Sequence, residues 1–162
     1  MTALPLTVTF RDESETRAFA IRLGAALRKG DVLLLHGQVG AGKTAFARAL
    51  IQSRLPVPED VPSPTFTLVQ TYDGDGLEIW HADLYRLTHP DDVLELGLED
   101  AFSTAMCLVE WPDRLGGLGP PGALHLHFSV TDTPGLRHLR LSSDDARWAA
   151  VVTAAKEGFP HD

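Results

Sequence analysis

The segment GQVGAGKT, from Gly37 to Thr44, places glycines, one lysine and one hydroxyl at the spacing Gly-x-x-x-x-Gly-Lys-Thr. Glycines let backbone N–H groups close around phosphate oxygens without Cβ clashes, and a helix opening near the lysine adds the positive end of its dipole. In such a loop Gly37, Gln38, Val39, Gly40, Ala41, Gly42 and Ala45 line the phosphates. Lys43 sets a point charge at the β and γ phosphates, and the Thr44 hydroxyl ligates Mg²⁺. Guanine is ordinarily read through Asn-Lys-x-Asp, and this chain contains no asparagine, so ATP is the expected nucleotide. Asp132-Thr-Pro-Gly135 mimics a GTPase switch but lies far downstream between two alternating strand patterns, where it reads as a turn.

A phosphate loop that does chemistry needs carboxylates at the ends of core strands to hold the metal and orient a nucleophile. Glu110 follows the apolar run CLV and precedes Trp111-Pro112; either a metal or an arginine or solvent partner would account for it there. Asp83, in HADLYRL, follows LEIW, and it either faces the phosphates or lies on a wet sheet edge with His81, Tyr85 and Arg86. In SPTFTL, Thr65 and Thr67 stand where many phosphate-loop proteins carry a γ-phosphate sensor, or where Pro62 and Pro64 stiffen a strand entry. His125 and His127 alternate on a strand with no third ligand evident, and are read as a solvated face. Cys107 is read as a small core residue.

These groups need a scaffold. LTVTF (Leu6 to Phe10) alternates like an edge strand, and Asp12 with Glu15 resembles a capping box opening a helix whose apolar positions Phe19, Leu23, Ala26 and Leu27 run to Lys29-Gly30. DVLLLH (Asp31 to His36) is a strand covered on both faces, and KTAFARALIQSRL after the loop is a helix ending before Pro56. TFTLVQTY and LEIWHADLY form a hairpin around DGDG. Asp91 to Leu98 reads as a short helix, Met106 to Trp111 as a buried strand, and GGLGPPG as an exposed loop. A second hairpin follows around TDTPGL, and a terminal helix runs from Asp144 to Lys156. Strands alternating with helices predict one three-layer α/β domain over residues 1–162, with a parallel central sheet and antiparallel strands at its margins.

A chain of 162 residues can remove roughly 70% of its unfolded surface from water, so no staple is needed, and a single cysteine excludes an internal disulfide framework. No signal peptide or membrane-spanning run is evident, so a cytoplasmic protein without a membrane partner is expected. The net charge of −8 opposes a large phosphate-backbone footprint, so any nucleic acid is expected to be held by a partner.

GAGKT (Gly40 to Thr44), SPTFTLV (Ser63 to Val69), HADLYRL (His81 to Leu87) and LVEWPDRL (Leu108 to Leu115), in this order and spacing, resemble the TsaE (YjeE) family, the bacterial ATPase component of tRNA threonylcarbamoyladenosine biosynthesis. The similarity spans nearly the whole chain, and the last three motifs are not general phosphate-loop features. It implies a phosphate-loop α/β fold, Mg-ATP binding, and partners TsaB and TsaD, which hold the tRNA and modify it while ATP hydrolysis by this chain resets the pair. It also implies roles: Lys43 for phosphate, Thr44 and Glu110 for the metal, Asp83 for the attacking water, Trp111 for coupling to the partner, and Thr65 for the switch. Glu13, Thr16 and Arg137 match positions expected near the base. One departure is visible: the family usually reads Gly-Asp-Leu-Gly where this chain has Gly37-Gln38-Val39-Gly40.

Two other classes share the glycine loop. A small-molecule kinase would need an acceptor pocket and an arginine-bearing lid, for which only Arg86 and Arg114 are placed. A nucleotide-gated interaction protein would use Asp83 and Glu110 only to set a switch.

Overall fold

The computed structural model describes residues 4–64, 67–89, 91–157 and 159. Strand β1 (Leu6–Phe10) is followed by helix α1 (Glu13–Ala25), strand β2 (Val32–His36) and helix α2 (Lys43–Arg54). Next come β3 (Val69–Asp73) and β4 (Glu78–Asp83), helices α3 (Asp92–Leu96) and α4 (Leu98–Thr104), and β5 (Met106–Glu110). A 3-10 segment (Pro112–Leu118) leads to β6 (Leu124–Val130), β7 (Arg137–Ser142) and α5 (Arg147–Lys156). The strands form one sheet in the order β1-β7-β6-β2-β5-β4-β3. β6, β2, β5 and β4 run parallel to one another, while β1, β7 and β3 pair antiparallel at the margins.

The central strands are apolar because both faces are covered. β5 is buried at every position and β2 at all but its last, whereas β1 and β6 alternate. Leu33, Leu35, Leu108, Leu124 and Leu126 face α1, α2 and α5, in a core that also holds Phe10, Phe19, Phe46, Phe128 and Phe159. Val32, Leu34, Cys107 and Val109 face the opposite way, against α3, α4 and Leu115. Helices on both faces make the three layers expected.

Local boundaries differ from the pattern for physical reasons. α1 ends at Ala25, short of Lys29, because the Arg54 guanidinium donates to the carbonyls of Gly24 and Leu27 and closes that helix end. The expected helix from Asp91 to Leu98 is two: Gly97, at φ 81°, ends α3 and begins α4, with the Trp80 ring packed against it. α4, whose Leu98, Ala101 and Phe102 face the sheet, was not expected. β3 starts only at Val69, since Leu68 adopts φ 67° and donates its N–H to the Pro64 carbonyl. GGLGPPG, expected as loop, begins inside the 3-10 segment.

Phe19 is fully buried against the rings of Phe10, Phe46 and Phe159. Phe19→Ala should destabilise the fold by about 3–5 kcal/mol in chemical denaturation. Ile21→Ala, two residues away on the exposed side of α1, should cost under roughly 0.5 kcal/mol.

Candidate functional site

β2 delivers the chain to the glycine loop and α2 carries it away. Gly37 has φ 145°, and a Cβ there would lie 2.9 Å from the Phe128 carbonyl oxygen, so β6 leaves room for glycine alone. Gly40 and Gly42 also have positive φ, but their Cβ positions face open space. Gly42 is the N-cap of α2 and no side chain caps that end, which leaves backbone donors for an anion. Ala41 is buried, Val39 is exposed at the tip, and Ala45 is exposed on the first turn of α2. Among the described residues the hydrogen bonds of Gln38 are made by its carbonyl, which accepts from Ala41 N–H and from Lys43 Nζ at 3.3 Å. The loop geometry therefore does not depend on the departure at this side chain.

Lys43 is buried, donates to the Gly37 carbonyl as well, and lies 3.8 Å from the centre of the Trp111 ring. Burial lowers its pKa from the usual value, against the pull of Glu110 and Asp83. Trp111 holds φ 59°, a left-handed conformation costly for a bulky residue, and its ring also contacts that of Tyr85 at 4.8 Å.

Parallel pairing of β4 and β5 sets Asp83 opposite Glu110. Glu110 is 2% exposed, yet both oxygens are used: Oε1 accepts from Thr44 Oγ1 at 2.7 Å, and Oε2 accepts from His81 Nε2 at 2.7 Å. His81 Nδ1 is buried and has no hydrogen-bond partner among the described residues. Asp83 Oδ1 accepts from Tyr85 N–H at 3.0 Å. Burial, and then repulsion from Glu110, raises the Asp83 carboxyl above its ordinary value.

Gln38, Val39, Gly40, Gly42, Lys43, Thr44, Asp83, Tyr85, Glu110 and Trp111 thus line one cavity of about 360 Å³. A second cleft, about 430 Å³, contains Glu13, Thr16, Ala45 and Arg137 together with Arg48 and Gln52. α2 joins the two, with Thr44 in the first and Ala45 in the second. A larger hollow of about 770 Å³ beside Pro56 and Pro58 shares only Gln52 with these two. Thr65 lies outside the described residues, while Thr67 is exposed and accepts from the Gln70 amide.

Against models of known families, residues 10–138 match "Threonylcarbamoyl adenosine biosynthesis protein TsaE". The chain belongs to the TsaE family. Among curated members, the TsaE of Rickettsia conorii is 37% identical over 149 residues, covering 92% of this chain and 79% of that protein. The TsaE of Bacillus subtilis is 41% identical over 98 residues, 60% of each chain. The crystal structure of Bacillus subtilis YdiB superposes with a TM-score of 0.78 at 25% identity, covering 96% of this chain and 97% of that one. YdiB thus shares the fold of this chain.

Two contributions were not assigned from the pattern. His81 is a buried partner of Glu110, not a neighbour on a wet edge; its only signal was that it shares a β4 face with Asp83. His125 and His127 do have a third histidine beside them, His36 from β2, which corrects the reading of an isolated pair.

Because the folded chain binds the Asp83 proton more tightly than the unfolded chain, ionising this group opposes folding, and stability falls as pH rises from the ordinary carboxylate value through the raised one. Asp83→Asn, which keeps an oxygen for Tyr85 N–H, should be more stable than the native chain at pH 7 in urea denaturation. The gap should close below about pH 3.9. An Asn variant less stable at neutral pH would contradict this origin of the shift.

Proposed function

We propose that this chain binds Mg-ATP and hydrolyses it as a subunit of the machinery that makes threonylcarbamoyladenosine in tRNA, acting on TsaB and TsaD partners. The observation that carries the reading is the meeting of Lys43, Thr44, Asp83 and Glu110 in one cavity at the head of an uncapped helix. Family membership supports the pathway, since the related proteins bear that name. The charge of −8 favours a division in which the partners hold the tRNA.

The residues present fit the nucleotide and its metal. The hydroxyl of Thr44 and carboxylate of Glu110 are the hard oxygen donors that Mg²⁺ takes, and they already touch each other. The space at Gly40 and Gly42 is where side chains would otherwise crowd the phosphates. When bound, Mg²⁺ would neutralise charge developing between the β and γ phosphates. Lys43 exchanges its loop carbonyls for phosphate oxygens, and the Trp111 ring shields it from water. His81 holds Glu110 in place. Asp83 orients the attacking water and accepts its proton, a task for which a raised carboxyl pKa is suited. Glu13, Thr16 and Arg137 line the cleft that would take the base.

At 100 times its dissociation constant, Mg-ATP should stabilise the fold by about 2.7 kcal/mol, or roughly 5–10 °C in Tm. Lys43→Ala should remove most of that shift. With TsaB, TsaD and tRNA, omission of this chain should end modification after the first round; continued turnover without it, or hydrolysis indifferent to the pair, would overturn the reading.

A further inference from the structure

We propose that His36, His125 and His127 bind a divalent transition metal of the zinc class, on the face of the sheet opposite the phosphate cavity. β2 and β6 run parallel with His36 opposite His127, and His125 lies two residues earlier on the same β6 face. Leu33, Leu35, Leu124, Leu126 and Phe128 point toward α1 and α2, so the three imidazoles stand on the other side. The carboxylates do not share it: Met106 and Leu108 precede Glu110 on the α2 side of β5, and Ile79 precedes His81 and Asp83 on that side of β4.

Each ring offers one nitrogen, and the three nitrogens lie within 4.8 Å of one another. His36 Nε2 and His125 Nδ1 share a hydrogen bond at 2.9 Å, whose proton a bound metal would displace, and the His36 and His127 ring centroids stack at 4.4 Å. Zinc–nitrogen bonds of about 2.0–2.1 Å place tetrahedral ligand atoms roughly 3.4 Å from each other. The first pair is therefore near chelating separation, and the rings, stacked nearly parallel in the metal-free chain, would turn about χ2, a soft torsion for histidine, to converge on an ion. All three rings are half-buried, so their strands and not solvent set their positions.

The donor set suits a transition metal. Neutral imidazoles are the ligands zinc, nickel and copper take, whereas Mg²⁺ and Ca²⁺ require oxygen sets. Asp113 faces His36 with the favourable charge, and Lys43 and Arg140 oppose it, so the site relies on nitrogen donors. A water would complete the coordination. His36 directly precedes Gly37, so a bound metal would tie the exit of β2 to β6 where the glycine loop begins.

The test titrates the metal-stripped, nucleotide-free chain with Zn²⁺ by calorimetry and with Co²⁺ by visible absorption. One equivalent should bind, with the absorption of four-coordinate cobalt, and paramagnetic shifts should fall on the His36, His125 and His127 imidazole resonances. His125→Gln and His127→Gln should each weaken binding by more than the roughly 10-fold cost of losing an outer partner. Together they should abolish it, while His138→Gln on the neighbouring strand β7 leaves it unchanged. The shifted resonances come from the native chain, so the result stands even if the double variant fails to fold. No binding, binding that survives the double substitution, or shifts that fall on His81 would overturn the proposal.

Discussion

The carboxylate of Glu110, buried between the Thr44 hydroxyl and the His81 imidazole, is the interaction that the rest of the site depends on. A buried carboxylate without partners would be costly, and here each oxygen has one, supplied by α2 on one side and β4 on the other. That arrangement fixes the head of α2 against the ends of β4 and β5. It also sets Asp83 directly opposite a second buried carboxylate, which is part of why its proton is held tightly. Trp111 follows at once in a strained conformation and lies over Lys43, so one short stretch of chain organises metal ligand, cation and cover.

Alternation along the central strands divides the molecule's chemistry between two faces. On the side of α1 and α2, residues His81, Asp83 and Glu110 continue the apolar columns of β4 and β5 until the columns reach the glycine loop. On the other side, α3 and α4 cover β4 and β5. There β2 and β6 carry polar rings, His36, His125 and His127, in place of a continued apolar core.

Much of this was legible in the sequence because it is local. The glycine loop, both hairpins and the double-faced β2 are written in consecutive residues, and Asp83 and Glu110 could be picked out as acids ending apolar runs. What could not be read depends on pairing between strands distant in sequence. His81 meets Glu110 only because β4 lies beside β5 across two helices. His36 meets His125 and His127 only because β6 returns beside β2, and α4 was hidden by the interruption at Gly97. The clustering of Glu13, Thr16 and Arg137 in one cleft likewise needed the fold.

The most direct measurement is ATP hydrolysis in the presence of the TsaB and TsaD pair, comparing the native chain with Glu110→Gln, a substitution of equal size that removes the charge and turns one of the two acceptors into a donor. The account predicts a variant that remains folded and loses at least about 100-fold in rate. An unchanged, Mg²⁺-dependent rate in that variant would contradict it.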